Sequence, residues 1–152
     1  MSVDLHVHTS HSDGTFSPVE LIRLAKQKKL TAIAITDHIE RNPGKKDVAG
    51  DDNSSYNIAL PYARKKNILL VKAGEITRSM PPGHFNAIFI SDANMLDTPE
   101  WKDAIRIANE QGGFVFWNHP GWRQPDEIPI WYSEHSWLLE QGLIQGVEIV
   151  QK

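Results

Sequence analysis

Cysteine is absent from the 152 residues, which removes disulfides, thiolate metal sites and cysteine nucleophiles together. Long apolar runs are missing too, none approaching the ~18 residues that span a bilayer. Strand-like sequence begins already at Val3, leaving no room for a signal peptide. No membrane partner is therefore expected, and the cytoplasm stands as the compartment only by default. There is no surplus of basic charge, because 16 Lys and Arg face 19 Asp and Glu for a net charge of -3. Bulk nucleic-acid binding is excluded on that ground, and any phosphate contact must be local. A hydrophobic share of 40% excludes a disordered chain, a collagen or a coiled coil. The length predicts one domain that buries about two thirds of its unfolded surface. What the chain does have is seven histidines, and the question is whether they gather at one place.

The order of elements suggests how they could. Val3 to His8 reads as a short strand, followed by a turn at Ser12-Asp-Gly14. Ser17 caps a helix, with Pro18 in its first turn, Glu20 completing a capping box, and Leu21, Ile22, Leu24 and Ala25 on its apolar face. Ala32 to Thr36 is a buried-type strand. The polar stretch from Glu40 to Ser55 reads as a long loop, in which Asp47, Asp51 and Asp52 offset Arg41, Lys45 and Lys46. A helix over 58–66, a strand over 68–76, the Pro-Pro-Gly turn at 81–83 and a strand over 84–90 follow. Pro99 opens a helix with Trp101, Ala104, Ile105 and Ala108 on one face, ended by Gly112-Gly113. A strand over 114–117, a Pro- and Trp-rich loop, a helix near 136–141 and a strand over 147–150 complete the chain. Strands alternating with helices predict a parallel α/β sheet or barrel.

His6 and His8 stand two apart on the first strand, so both side chains face one way, a spacing that suits one metal ion. Taken alone, such a pair is as readily explained by packing. Asp13 after the first strand, Asp37 and His38 after the second, Glu75 near the end of the third and His119 after the 114–117 strand change the balance. In a parallel barrel all these strand ends open on one rim, where active sites are built. His84 begins a strand instead, and reaches the same rim if the 68–76 and 84–90 strands form a hairpin. Imidazoles and carboxylates without sulfur point to zinc, manganese or iron, and their number to more than one ion. Such a cluster acidifies water and clamps phosphate oxygens, so hydrolysis is the expected chemistry. Arg78 and Arg123 are candidates to grip a phosphate, with a surface arginine the plainer alternative for each. Trp122, Trp131 and Trp137 offer rings for an ester group, whereas Trp117 reads as core. His11 and His135 read as exposed loop histidines.

At these residues the sequence resembles the PHP family, the polymerase and histidinol phosphatase domains. Asp4-Leu-His-Val-His-Thr9 with Ser12-Asp-Gly14 is similar to the family's first motif, and Ile35-Thr-Asp-His38 to its second. Gly74-Glu75 is similar to its bridging carboxylate segment, Asn118-His-Pro-Gly121 to its third motif, and Gly146-Val-Glu-Ile149 to the strand that follows. The 78–84 and 116–122 stretches look most like a bacterial branch described as phosphodiesterases. The resemblance implies a distorted seven-stranded β/α barrel and a metal-dependent phosphoesterase acting on a small phosphate ester, a diester in preference to a monoester.

It also implies two to three divalent ions. His6 and His8 would hold the first, Glu75 would bridge to a second completed by His84 and His119, and Asp13 and His38 would bind a third. Asp37, Arg78 and Arg123 would act beside the ions, Asp37 by supporting an imidazole or a ligand water. Hydroxide generated at the ions would attack phosphorus, with no protein nucleophile. The family's fourth motif, an Asp-x-His, has no counterpart here. By this count the barrel is truncated after about five β/α units, holds one or two metals well and a third weakly, and exposes an edge open to self-association or to a missing C-terminal segment. Two rivals remain. An amidohydrolase-type hydrolase also opens with H-x-H but lacks Ser-Asp-Gly and Thr-Asp-His in these places, and a catalytically inactive metal-binding or regulatory module needs no fourth motif.

Overall fold

The structure, a computed structural model, describes residues 1–39, 50–122, 124, 126 and 128–149. Strands β1 (Val3–Val7), β2 (Ala32–Ile35) and β3 (Leu69–Ile76) pair in parallel. β4 (Phe85–Ile88) lies antiparallel between β3 and β5 (Phe114–Trp117), and β6 (Gly146–Val147) pairs in parallel with β5. The six strands therefore follow sequence order across one sheet. β1 and β6 are its opposite edges, yet His6 on β1 and Glu148 just past β6 meet at 3.0 Å. The sheet is thus curled into an open barrel, and the curl is what closes the rim.

Among the described residues helix and strand alternate except at one junction. β3 and β4 are joined by the loop 77–84 with no helix between them, so the wholly parallel arrangement expected from alternation is corrected by a single antiparallel strand. In that register Ile76 faces Phe85 and Glu75 faces Asn86, which returns His84 to the end of β3.

The helices coat the outside of the sheet. α1 (Pro18–Gln27) carries the expected capping box, in which Ser17 accepts from Glu20 N and the Glu20 side chain accepts from Ser17 N at 2.9 Å. α2 (Ser54–Lys66) starts four residues before the expected 58. Its first turn, Ser54-Ser55-Tyr56-Asn57, has no apolar periodicity to read. Tertiary contacts place it instead, since the Asn53 amide donates to Asp92 and accepts from Ala93 N. Leu21, Ile22, Ala25, Ala59 and Ala63 of these helices pack on Ile33, Ile35 and Leu70, while Ala34, Val71, Ala73 and Ile88 fill the opposite face with Leu5 and Phe116. β2 is buried on both faces, which is why it reads Ala-Ile-Ala-Ile without alternation.

A short 3-10 turn (Asn94–Leu96), α3 (Trp101–Glu110) and α4 (Ser133–Glu140) cover the second half of the sheet. α4 overturns the exposed reading of His135, whose relative exposure is 0%. The helix begins at Ser133, so His135 and Leu138 lie three apart on one inward face despite their polar neighbours. His11 is half-buried and meets Ser54 Oγ at 2.7 Å, so it too is less exposed than its turn position suggested. Among the described residues no helix is long and apolar enough to cross a membrane.

Candidate metal centre

Each functional side chain reaches the rim for a local reason. Past β1 the chain folds back on itself, Ser12 N and Gly14 N both donating to Thr9 O. A Cβ on Gly14 would lie 2.2 Å from His8 O, so the close return that presents Asp13 requires glycine there. Past β2, Ile39 N donates to Glu75 O and Glu75 N to Asp37 O, locking the His38 segment beside the end of β3. A Cβ on Gly74 would meet Ile39 Cδ1 at 2.6 Å, so a side chain there would have to displace that buried methyl. The β3–β4 hairpin brings in His84, and the residue after β5 and Asn118 is His119, held at φ 27°. A left-handed backbone of that kind costs a non-glycine residue roughly 1–2 kcal/mol and needs contacts to hold it.

Glu75, 1% exposed, is the centre of the group. Its Oε2 lies 3.0 Å from His6 Nε2 and 3.3 Å from His8 Nε2, and its Oε1 lies 2.9 Å from His84 Nδ1 and 3.2 Å from His38 Nδ1. Asp13 adds a second carboxylate, 3.4 Å from His8 Nδ1 and 3.2 Å from His38 Nε2. The His119 ring packs between those of His6 and His84, at centroid distances of 5.6 and 4.9 Å. Glu148 completes the set, with Oε1 3.0 Å from His6 Nδ1 and Oε2 accepting from His119 N at 2.7 Å.

The partners assign the protons. The Thr77 hydroxyl donates to Glu75 Oε1, so Thr77 Oγ1 receives the Nδ1–H of His38 at 2.6 Å. The Ser12 hydroxyl donates to Asp37, so His8 Nδ1 faces only acceptors in Ser12 Oγ and Asp13, and carries its proton there. His6 Nδ1 faces the Glu148 carboxylate. Three imidazoles thus keep hydrogen on Nδ1 and turn Nε2 inward.

The consequence is that ring nitrogens and carboxylate oxygens crowd together inward, with the second proton of His6 between them. His6 Nε2 and His8 Nε2 are 3.1 Å apart, both against Glu75 Oε2, and His38 Nε2 stands 3.2 Å from Asp13 Oδ2. Ligands bound at 2.0–2.2 Å to one ion are separated by about 2.8–3.6 Å between octahedral and tetrahedral angles, so this spacing fits a cation. Buried His84 Nδ1 stands 2.9 Å from Glu75 Oε1 but out of line for a hydrogen bond, which suits a coordination direction better than a donor. Two triads, His6 with Glu75 and His119, and His8 with Asp13 and His38, each offer ligand atoms within 4.8 Å of one another.

The electrostatics agree. Burial drives the Glu75 carboxyl pKa up, but the imidazoles of His38, His6, His8 and His84 set against it outweigh burial and hold it well below the usual carboxylate value. Burial drives the His6 imidazole down, but its bonds to Glu148 and Glu75 prevail and raise it to about 9. Burial, with His84 and His6 nearby, lowers His119 to about 4, so it presents a neutral ring. Glu148 is lowered, burial being overcome by the His6 and His119 hydrogen bonds.

The remaining expected residues lie as follows. Asp37 accepts from Thr9 N and Thr9 Oγ1 at 2.6 Å each and from Ser12 Oγ at 2.9 Å, so it reaches an imidazole, His8, through Ser12. Arg78 is buried and donates to the carbonyls of Thr77 and Thr98, bracing the hairpin loop. Arg123, with Arg41, Lys45, Lys46 and Asp47, lies outside the described residues. Trp122, 43% exposed, stands beside His84 and His119 at 4.9 and 5.2 Å, whereas Trp117 is core as expected. Trp131 leans on Trp117 and Trp137 on Trp101. Sequence reasoning missed Glu148 and Thr77. Glu148 sits just past the end of β6, which stops at Val147, whereas the strand expected over 147–150 placed it inside.

Comparison with known proteins bears on the fold and the family. A two-domain protein of Bacteroides vulgatus, containing a predicted PHP-like metal-dependent phosphoesterase, superposes with a TM-score of 0.88 at 46% identity, over 95% of this chain and 43% of its own. The chain thus spans less than half the length of that protein. A candidate metal-dependent phosphoesterase of Bifidobacterium adolescentis shares the fold at 17% identity and a TM-score of 0.70, covering 97% of this chain and 76% of its own. An amidohydrolase of Chromobacterium violaceum, solved with sulfate and no metal, shares it at 15% identity and 0.69, with the same coverage. A stretch of 40 residues is 52% identical to an uncharacterized protein of Methanocaldococcus jannaschii, covering 26% of this chain and 18% of that one. The PHP domain pattern matches residues 4–109, from the first strand through α3, and on that span the chain belongs to the PHP domain family.

Proposed function

We propose that the chain carries the metal centre of a phosphoric ester hydrolase, acting on phosphodiesters in preference to monoesters. The observation that carries the reading is the convergence of His6, His8, His38 and His84 on the buried Glu75 carboxylate, with Asp13 and His119 completing two triads. Divalent ions held there supply Lewis acidity toward phosphoryl oxygens and acidify water. The chain's own part is to hold these ligands in one protonation state. Thr77, Ser12 and Glu148 hold the Nδ1 protons of His38, His8 and His6, Asp37 fixes Ser12, and His119 stays neutral across the physiological range. Zinc, manganese and iron all suit imidazole with carboxylate. Trp122 offers an apolar face beside the ligands on which an ester group can rest.

The test is turnover of bis(4-nitrophenyl) phosphate and of 4-nitrophenyl phosphate by the purified chain with added manganese or zinc. Faster diester cleavage, abolished in His8→Ala and His119→Ala, supports the proposal. Turnover of amides or lactones without either phosphate would overturn it in favour of an amidohydrolase-type enzyme. Tight metal binding with no turnover of any of these would identify an inactive metal-binding module.

A further inference from the structure

We propose that Glu148 is a positioning residue of the metal centre, one carboxylate that sets the tautomer of His6 and the backbone of His119 at once. The proposal rests on the reading of the site as a metal centre. Glu148 lies at neither of the two candidate triads as a ligand atom, and its oxygens face the outer side of the residues that do. Oε1 takes the Nδ1–H of His6 at 3.0 Å, leaving Nε2 to point toward Glu75 and His8. A ligating histidine whose second nitrogen donates to a carboxylate is fixed in orientation and made a stronger base. Oε2 takes the backbone N–H of His119 at 2.7 Å. That residue has φ 27°, a backbone that must be held, and the bond comes from the same carboxylate.

Topology gives the contact its purpose. His6 is on β1 and His119 follows β5, and in the sheet order β1 and β6 are not neighbours. Glu148, reaching across from the end of β6, joins two ligands that backbone pairing does not bring together. Its own backbone is fixed by donation from Glu148 N to Trp117 O at 2.8 Å, so the carboxylate is aimed by β5. Among the described residues, the charged and titratable groups that meet His6 are Glu75, Glu148, His8, His119 and, at its backbone N–H, Asp4.

The experiment loads the wild-type chain, Glu148→Gln and Glu148→Ala with zinc and follows loss of the ion to excess chromophoric chelator. Alongside it, the His6 Nδ1–H proton is observed by NMR in the zinc-loaded proteins, and the metal-free proteins are melted. Zinc loss is expected to be ~10–100-fold faster in both variants. The Nδ1–H signal should persist in the wild type and vanish by exchange with water in Glu148→Ala. A cooperative melt of metal-free Glu148→Gln well above the assay temperature shows that the faster loss is not general loosening, and this variant serves if Glu148→Ala does not fold. Unchanged chase rates in both variants, or an Nδ1–H signal untouched by Glu148→Ala, overturn the positioning role while leaving the metal centre standing. A wild-type chain that takes up no zinc overturns both.

Discussion

His6 supplies the sharpest quantitative expectation, because its pKa connects metal affinity, stability and pH. Without an ion, the inward triangle of His6 Nε2, His8 Nε2 and Glu75 Oε2 is satisfied by a proton on His6, whose pKa rises from 6.5 to about 9. An ion that takes Nε2 must displace that proton. Apparent affinity should then climb close to tenfold per pH unit between pH 7 and about 9 and level off above, so that at pH 7.5 it is about 30-fold below its plateau. Each ion bound in that window releases nearly one proton from His6. Titration calorimetry in buffers of differing ionisation enthalpy measures both quantities, and His6→Asn should abolish the slope.

The same shift governs the metal-free fold, and here the sign is opposite. A raised folded pKa stabilises the protein below pH 6.5, where both states are protonated, and that contribution is lost as pH rises to about 9. A shift of that size at a side chain 10% exposed is worth about 3 kcal/mol. His119, lowered to about 4, acts the other way: below pH 6.5 the unfolded chain takes a proton that the folded chain refuses, so stability falls with pH down to about 4. The lowered Glu75 and Glu148 add to the loss on the acid side. Metal-free stability should therefore peak near pH 6.5, while metal affinity is still rising there. Affinity flat from pH 7 to 9 with no proton released, or metal-free melting points that increase from pH 6.5 to 9, would refute the proton assignment at His6.

Four other outcomes follow from the geometry. Glu75→Gln keeps the volume and removes the charge that four imidazoles share, so it should cost the metal-free fold about 3–5 kcal/mol at neutral pH and weaken ion binding, seen in denaturant melts and chelator competition. Gly14→Ala drives a Cβ into His8 O and should cost roughly 1–3 kcal/mol together with zinc affinity, while Gly50→Ala, with nothing within 4 Å, should change neither. His135→Ala removes a buried ring packed 4.0 Å from that of Trp117 and leaves Pro82 O and Tyr132 N without their bonds, a loss of about 3–5 kcal/mol in melting experiments. Metal analysis after dialysis should find one or two tightly held ions per chain, and three would contradict the expectation of a weak third site.

The residues that bring ligand atoms to the rim were legible because their signal is local. His6 and His8 share a face through the period of a strand, and Asp13, Asp37, His38, Glu75 and His119 each fall just past or near the end of one. His84 needed only one topological condition, the hairpin, which the β3–β4 pairing meets. His135 was misread because its neighbours in sequence are polar, whereas its burial is decided by a helix that starts at Ser133 and turns it toward Trp117. Glu148 fell inside the strand expected over 147–150 and had no visible partner, since His6 is 142 positions away and the two meet only when the sheet curls. What suits the rim to a metal ion is which nitrogen each imidazole turns inward, and that is decided by Ser12, Thr77 and Glu148. Hydroxyls and carboxylates of this kind occur along any soluble chain without marking a site, so their role becomes readable only once it is known which acceptor has already received which proton. Motif spacing can nominate the ligands for this reason, while their protonation, and with it their affinity for an ion, belongs to the three-dimensional network behind them.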